Sequence, residues 1–431
     1  MLTAAQRRTA ALAALLGNAL EWYDFAVYGY VASALGRAFF PAEAPALQTM
    51  ASFGVFAVGY LMRPVGSLLL GPIGDLLGRR QMLSLSIVIM GLSSLLIGLL
   101  PTHAQIGAAA GILLVLLRML QGFSVGGEFT GSITYAAEAA RSSHAGLLSS
   151  LATAGGLVGF SLGSLTAAVT GWSLGDAAMA AWGWRLPFLL GAAVAVLGLW
   201  MRRSMPETLP PEEDATPIRS FSALAGAVGW RLQEVIRQWR LVLQVIALVS
   251  FANVVFYVAF VFLVDHAGQV SGNSAGANTV ATLLQTLGLP VVVLGGHLAD
   301  RHGLVIANRW GNLALLVVMP LALLIGQGGS LAQLAIGLAL VVVPLMATMG
   351  AQGVLGVALV PLRQRCAVFS IAYSLAMALF AGTAPLVASW LLEARGWLWG
   401  TPLYCLIYAL LAIWAVQASR GSDRFNATPQ P

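Results

Sequence analysis

The stretch GPIGDLLGRR at residues 71–80 separates two apolar spans, and GHLADRHG at residues 296–303 separates two others. Each stretch is short and begins with glycine, and each places an aspartate, Asp75 or Asp300, ahead of an arginine. The first follows the second apolar span of the chain, and the other follows the eighth. Because they hold equivalent positions in two sets of six spans, they predict a duplicated transporter architecture.

The apolar spans around these motifs are each close to the twenty residues that an α-helix needs to cross a bilayer. The chain is 59% hydrophobic and only 9% charged, whereas soluble domains are roughly 25% charged. We therefore predict an all-α membrane protein with twelve transmembrane helices in two six-helix bundles. The spans are expected at about residues 9–35, 49–71, 81–100, 107–136, 146–170, 184–201, 241–264, 275–296, 309–327, 331–357, 367–392 and 401–418.

A polar interruption near the middle of the chain predicts its domain organisation. The segment RRSMPETLPPEED from residue 202 is too rich in proline and charge to lie in lipid. We therefore expect an N-terminal bundle over 1–201, a cytoplasmic loop over 202–240, a C-terminal bundle over 241–418 and a short cytoplasmic tail over 419–431.

The basic residues indicate how the chain lies in the membrane. All 22 are arginine, and most fall at alternate ends of the predicted spans. By the positive-inside rule both termini lie in the cytoplasm, in a multi-pass protein of a bacterial cytoplasmic (inner) membrane. Arginines placed in this way do not form a basic groove interleaved with aromatic residues, so we predict no nucleic-acid partner.

Several motifs resemble those of one superfamily. The 71–80 stretch is similar to the motif that follows the second helix in the major facilitator superfamily, and RMLQG at 118–122 resembles its fourth-helix motif. Within that superfamily the chain resembles the metabolite:proton symporters, which import citrate, α-ketoglutarate, shikimate, or proline and betaine. That narrower resemblance is carried by GNALEWYDF (17–25), LMRPVG (61–66), QGFSVGGE (121–128), WGWRLPF (182–188) and PET (206–208).

The first span carries a polar stripe that is the strongest candidate for chemistry. Asn18, Glu21, Asp24 and Tyr28 recur at helical spacing. A carboxylate in mid-membrane costs roughly 2.5–3.5 kcal/mol, so a function is expected for it. We predict proton coupling by Asp24 and Glu21. Arg118 lies at comparable depth in the fourth span and is the expected partner of both, which gives the three groups a net charge of minus one.

Other polar side chains are assigned to the solute site or to gating. A solute carboxylate that occupied the arginine would release an acid to bind a proton, so solute and proton would be linked. The predicted solute-binding residues are Arg118, Asn18, Tyr28, Gln121, Asn253, Tyr257 and Tyr373. The predicted gating residues are Asp75, Arg79, Arg80, Arg63, Glu128, Asp300 and Arg301.

Some residue types are given no chemical role. The histidines lie mostly in predicted loops, and Cys366 and Cys405 are read as packing residues. Glycines that recur every fourth residue, such as Gly155, Gly159 and Gly163, are expected to let helices pack closely rather than to bind phosphate. No metal, cofactor or catalytic site is expected.

The function predicted from these features is secondary transport. We expect a proton-coupled symporter that imports a small carboxylate-bearing organic solute by alternating access and works as a monomer in the lipid bilayer. The solute class stays open between di- or tricarboxylates and zwitterions of the proline or betaine type. A proton-driven drug or metabolite antiporter on the same fold is the first alternative, and a membrane receptor or enzyme is the second.

Overall fold

The computed structural model describes residues 15, 18–19, 21–40, 45–77, 79–126, 128–140, 142–203, 235–361 and 365–419, with isolated positions at 222, 226, 229 and 233. Most of the predicted loop over 202–240, and the tail beyond residue 419, lie outside these residues. Helices account for the described fold, and no strand occurs in it.

We number the helices in chain order, from α1 to α12. Helix α1 covers residues 21–30 and continues through Ala32–Phe39, and α2 consists of Pro45–Leu61 and Arg63–Leu77. Helix α3 is Arg79–Leu99, α4 consists of Ala109–Ser124 and Glu128–Ala139, α5 is Ala145–Gly183, and α6 is Arg185–Arg203. The second half contains Trp239–Ser271, Ser274–His302, Leu304–Gly326, Leu331–Leu359, Val368–Ala394 and Gly400–Ala418, which are α7 to α12.

Length and composition agree with a membrane-spanning fold. Nine of the described helices are long and apolar enough to cross a bilayer, and α3 and α6 contain shorter apolar segments. With α1, these make the twelve helices predicted from the sequence.

Several helix boundaries differ from the prediction, because a single glycine turns or bends the backbone where the prediction places a longer loop. Helix α9 begins at Leu304, directly after Gly303, whose φ of 100° turns the chain within one residue. Helix α5 extends beyond the predicted residue 170 to Gly183, across a kink at Gly175 with φ of 75°. Helix α7 likewise continues to Ser271 rather than ending near 264.

Glycines bring α1 and α5 into close contact. A Cβ atom at Gly159 would lie 2.3 Å from the Ala19 carbonyl oxygen, and one at Gly163 would lie 2.7 Å from the Ala26 Cβ. A larger residue at either position would push the helices apart. The packing role predicted for these glycines is confirmed.

The two halves contact each other at both ends of the bundle. At the end that carries the two aspartate-containing stretches, here called the motif end, the hydroxyls of Ser67 and Ser374 lie 2.9 Å apart. At the opposite end, Gln269 Nε2 donates to Thr49 Oγ1 over 3.4 Å. Between these contacts, the polar residues of the centre are almost fully buried. The polar centre is therefore buried between these two contacts.

Candidate functional site

The polar stripe of α1 is buried, as its spacing predicts. Asn18, Glu21, Asp24 and Tyr28 are each 5% exposed or less. Asn18 lies at the edge of the site, where its Nδ2 donates to the Ser132 hydroxyl over 2.9 Å and to a carbonyl of α5. These bonds join α1 to α4 and α5, so in this state the Asn18 amide nitrogen connects helices.

Glu21 forms an ion pair with Arg63 of α2, not with the predicted partner Arg118. Arg63 Nη2 lies 3.3 Å from Glu21 Oε1, and both side chains are buried. The guanidinium carbon of Arg63 also lies 5.0 Å from the Trp22 ring centroid and 5.5 Å from that of Tyr60. The position of Arg63 in the second span predicts a location in the inner half of that span, away from the centre. The packing of α2 against α1 brings it to Glu21.

We expect Glu21→Gln to lower the stability of the folded protein by about 3–5 kcal/mol, because Arg63 would lose the carboxylate that compensates its buried charge. The measurement is thermal or denaturant unfolding of the purified protein in detergent micelles. The double variant Glu21→Gln/Arg63→Gln removes both charges and should recover most of the loss. A single variant as stable as the wild type would show that the pair contributes nothing.

Arg118 of α4 is fully buried beneath aromatic rings. Its guanidinium carbon lies 4.3 Å from the Tyr28 ring centroid, 4.8 Å from that of Phe25 and 5.7 Å from that of Phe56. Nη1 donates to Gln121 Oε1 over 2.7 Å, whereas Nε and Nη2 have no hydrogen-bond partner among the described residues. Within that part of the chain, Arg118 forms no ion pair with an acid. One edge of the guanidinium is therefore available to a ligand.

Asp24 is buried between three other helices. Its Oδ1 has no hydrogen-bond partner in the described structure and faces Gly191 of α6, where a Cβ atom would lie only 2.3 Å away. Arg118 is instead joined to α3, because Gln121, which accepts from Arg118, donates through Nε2 to the Ser94 hydroxyl oxygen over 2.7 Å. Among the described residues, Arg118 and Asp24 form no ion pair.

Including Arg63 changes the charge count of the site. With all four side chains ionised, Glu21 and Asp24 balance Arg63 and Arg118, and the sum is zero. The net charge of minus one predicted from the sequence did not include Arg63. A proton alone would leave a buried charge of plus one, and a carboxylate alone would leave minus one. Because uncompensated buried charge is costly, a carboxylate group and a proton balance each other among these four side chains, and any cationic group of the solute needs a partner elsewhere.

The second half contributes aromatic and amide groups to the centre. The hydroxyls of Tyr60 and Tyr257 hydrogen-bond to each other and so join α2 to α7. Tyr373 of α11 donates to Asn253 Oδ1 over 3.5 Å, and its ring packs against Phe129 of α4 with centroids 5.1 Å apart. The structure thus brings the predicted Asn253, Tyr257 and Tyr373 to the interface between the halves.

The predicted gating residues can be placed only in part. The side chains of Asp75, Arg79, Arg80 and Glu128 lie outside the described residues. Asp300 of α8 accepts hydrogen bonds from the backbone N–H groups of Gly146 and Leu147 over 2.7 and 2.8 Å, at the first turn of α5. Arg301 is exposed. Asp300 therefore connects the halves at the motif end through backbone donors.

The sequence did not reveal a polar cluster at the end of α7 that lies away from the motif end. We call it the α7-end cluster, and it consists of Asp265, His266 and Glu393. His266 Nδ1 lies 3.2 Å from Glu393 Oε1, and Gln269 Nε2 donates to Asp265 over 2.5 Å. The predicted span ended at residue 264, so Asp265 and His266 were read as loop residues. The described residues contain no group of histidine, cysteine and acidic side chains suited to a metal ion.

Comparison with known sequences identifies transporters. The sugar (and other) transporter family profile matches residues 9–210. A glycine betaine/proline/ectoine/pipecolic acid transporter of Dickeya dadantii is 33% identical over 412 residues, which cover 94% of this chain and 82% of the relative. The proline/betaine transporter of Escherichia coli is 32% identical over the same shares of the two chains.

Comparison with solved structures supports the fold. The proton:xylose symporter XylE superimposes with a TM-score of 0.74 at 18% identity, covering 99% of this chain and 98% of that one. The human organic anion transporter MFSD10 superimposes with a TM-score of 0.64 at 21% identity, covering 96% and 99%. At these identities the likeness concerns the arrangement of the helices.

Proposed function

This chain belongs to the sugar (and other) transporter family of the major facilitator superfamily, and from that premise we propose that it is a proton-coupled symporter of small zwitterionic solutes. This class comprises amino-acid-like or betaine-like compounds with one carboxylate and one cationic nitrogen. The relatives named as proline and betaine transporters support this class. They do not favour the drug antiporter alternative.

The observation that carries the proposal is the unoccupied edge of Arg118. Its Nε and Nη2 groups have no protein partner among the described residues. Two parallel N–H groups of a guanidinium match the two oxygens of a carboxylate, so a solute carboxylate would bind there through two charge-assisted hydrogen bonds. Rings of Phe25, Tyr28 and Phe56 surround the guanidinium and exclude water, which strengthens that pairing.

The second buried arginine supports a solute with a single carboxylate. The charge of Arg63 is already compensated by Glu21 at 3.3 Å. A second solute carboxylate would therefore meet a neutral pair there, although Arg63 Nε and Nη1 have no hydrogen-bond partner among the described residues. Tyr60 and Tyr257 lie at the interface of the halves with ring centroids 5.4 Å apart. The Tyr60 ring already lies 5.5 Å from the Arg63 guanidinium carbon, so this aromatic cluster accommodates a cation. The cationic end of a zwitterion would lie there, while its carboxylate pairs with Arg118.

Asp24 is our candidate for the proton acceptor. Glu21 is paired with Arg63, whereas Asp24 has one oxygen against the bare backbone of Gly191. A carboxylate oxygen without a hydrogen bond in a buried site favours the protonated form. Arrival of a carboxylate at Arg118 would remove the nearby positive charge that stabilises ionised Asp24 and so promote proton uptake.

We further propose that transport follows alternating access by a monomer. The contacts at the two ends, Ser67 with Ser374 and Gln269 with Thr49, would break in turn as the halves rock about the central site. We place the protein in the bacterial cytoplasmic membrane with both termini in the cytoplasm, on the basis of its arginine distribution and its bacterial relatives.

The test is uptake into proteoliposomes under an imposed pH gradient, acid outside. Proline, glycine betaine, citrate, α-ketoglutarate and shikimate are compared side by side, with protein-free liposomes as control. We expect accumulation of the zwitterions and its collapse when an uncoupler dissipates the gradient. Accumulation of citrate in place of the zwitterions would contradict the proposed solute class. Uptake that is unchanged by the uncoupler would contradict proton coupling.

A further inference from the structure

We propose that His266 and Glu393 of the α7-end cluster share one proton, and that this proton keeps the two halves in contact at their end of the bundle. The site is separate from Asp24, and the inference does not depend on which solute is carried. Because this end lies opposite the motif end, it is called the cluster end here. In the orientation proposed above, the cluster end faces the outside of the cell.

Both ring nitrogens of His266 face hydrogen-bond acceptors. Nδ1 lies 3.2 Å from Glu393 Oε1, and Nε2 lies 3.3 Å from the backbone carbonyl oxygen of Gln327. A neutral imidazole has one N–H donor and one lone pair, and an ionised carboxylate only accepts. Both contacts can therefore be hydrogen bonds only when the pair carries an extra proton, either as imidazolium with carboxylate or as imidazole with a protonated carboxyl group.

Neighbouring side chains hold the two groups in this arrangement. Ser389 donates to Glu393 Oε2 over 2.5 Å, so Oε1 is the oxygen that faces His266. The His266 ring stacks on Phe262, one turn earlier in α7, with centroids 5.7 Å apart. His266 and Glu393 are each 13% exposed, whereas Asp24 is only 2% exposed. The pair can therefore exchange its proton with the solvent at the cluster end.

Few other charged groups surround the pair. Asp265, the residue before His266, accepts from Gln269, and the side chains of Arg37 on α1 and Arg395 on α11 are exposed. No acidic, basic or histidine side chain occurs in the other segments that pack there, which are 45–61 of α2, 274–296 of α8, 310–326 of α9, 331–359 of α10 and 400–418 of α12. Histidine is the side chain that ordinarily changes its charge between about pH 5 and 8. The proton of the pair is therefore the candidate for a response to pH at this end.

The shared proton holds the end of α7 in place. His266 joins α7 to α9 and α11, which all belong to the second half. Three residues further along α7, Gln269 Nε2 donates to Thr49 Oγ1 of α2, in the first half. A π-helical turn at Val258–Phe262 precedes the cluster in α7, and another occurs in α11 at Trp390–Ala394. Helices bend at such turns, so the end of α7 can move away from α2 when its other contacts are lost.

Loss of the proton breaks one of the two contacts of His266. A neutral imidazole beside an ionised carboxylate can donate either to Glu393 or to Gln327, and its other nitrogen then turns a lone pair towards an acceptor. The end of α7 is freed from α11 or from α9, and its contact with α2 loosens. An acid exterior therefore closes the cluster end, and an alkaline exterior favours its opening.

The test measures the distance between two spin labels across the cluster end, by electron paramagnetic resonance on the purified protein in lipid nanodiscs without solute. Leu47→Cys on α2 and Val270→Cys on α7 carry the labels, since both positions are exposed and lie within two residues of Thr49 and Gln269. The native cysteines are replaced by serine. We expect the open-to-closed ratio to rise by about tenfold or more from about pH 5.5 to about pH 8.5, the factor that one hydrogen bond to a charged group represents.

Two variants of the pair have different expected results. His266→Gln cannot take up the proton, so its distance distribution should not change with pH. In Glu393→Gln the amide oxygen can accept from Ser389 while the amide N–H donates to a neutral imidazole, so closure needs no proton. We expect Glu393→Gln to stay closed at both pH values, whereas a purely structural role predicts that loss of the carboxylate weakens closure.

Two further variants serve as controls. His144→Gln removes an exposed histidine at the motif end and should respond to pH as the wild type does. Asp24→Asn should also keep the response. Loss of the response in Asp24→Asn would place its origin at the proposed coupling site and overturn the proposal.

The other contrary outcomes are equally definite. A distance that does not change with pH in the wild type, or a wild-type response in His266→Gln, would remove the proton from this site. A Glu393→Gln protein that opens would assign the pair to packing alone. Because no transport is measured, these failures would leave the proposed function standing, and the uptake experiment tests that function separately.

Discussion

Replacing Asp24 by asparagine is expected to abolish gradient-driven accumulation while leaving solute exchange across the membrane. Asparagine keeps the size and polarity of the side chain but cannot bind a proton. Each pH unit of gradient drives about tenfold accumulation per proton carried, so the accumulation ratio should fall from that value to about one. The measurement is uptake of labelled glycine betaine into proteoliposomes under an acid-outside gradient, followed by exchange with no gradient.

The control for this variant is Asp176→Asn, which removes an acid from an exposed position of α5 and should accumulate solute as the wild type does. Loss of both accumulation and exchange by a folded Asp24→Asn protein would move Asp24 from coupling to solute binding. Wild-type accumulation by Asp24→Asn would remove the residue from the mechanism.

Replacing Arg118 by glutamine is expected to weaken solute binding by at least about thirtyfold. The variant removes a buried charged partner of the solute carboxylate, and breaking such pairs costs about 2–5 kcal/mol. Arg118→Lys should not restore affinity, because an ammonium group lacks the two parallel N–H groups of the guanidinium. Binding of glycine betaine to the purified protein measures the effect directly.

Arg309→Gln provides the comparison for Arg118, since Arg309 is exposed on α9 and its loss should leave affinity unchanged. An analogue in which a neutral amide replaces the carboxylate carries a net positive charge, and it should bind Arg118→Gln at least as well as it binds the wild type. If Arg118→Gln bound glycine betaine with wild-type affinity, the carboxylate site would have to lie elsewhere.

Most of the fold could be predicted because membrane insertion imposes strong rules on sequence. Apolar spans near twenty residues long, the division into six and six, and the repeated aspartate-containing stretches each follow from the lipid environment or from duplication. The boundaries that failed lie at single-residue breaks. Gly303 turns the chain with φ of 100° and lets α9 begin five residues before the predicted start, and composition does not distinguish such a break from a short loop.

The site was predicted less completely because depth in the membrane does not fix which helix faces which. Counting residues from span ends gave Asp24 and Arg118 similar depths, whereas in the described structure Arg118 donates to Gln121 rather than pairing with an acid. The same counting could not find the ion pair of Glu21 with Arg63, which depends on how α2 is rotated against α1. No sequence pattern pointed to Gly191. It matters because the absence of a side chain at this position leaves room for the Asp24 carboxylate.

The most direct test of the account is whether solute entry carries protons inward. Proteoliposomes with a pH-sensitive dye trapped inside are given glycine betaine outside, with no pH gradient at the start and with the membrane potential clamped by potassium and valinomycin. The account predicts that solute addition acidifies the lumen of wild-type vesicles and not of Asp24→Asn vesicles. Solute uptake by the wild type with no change in internal pH would contradict it.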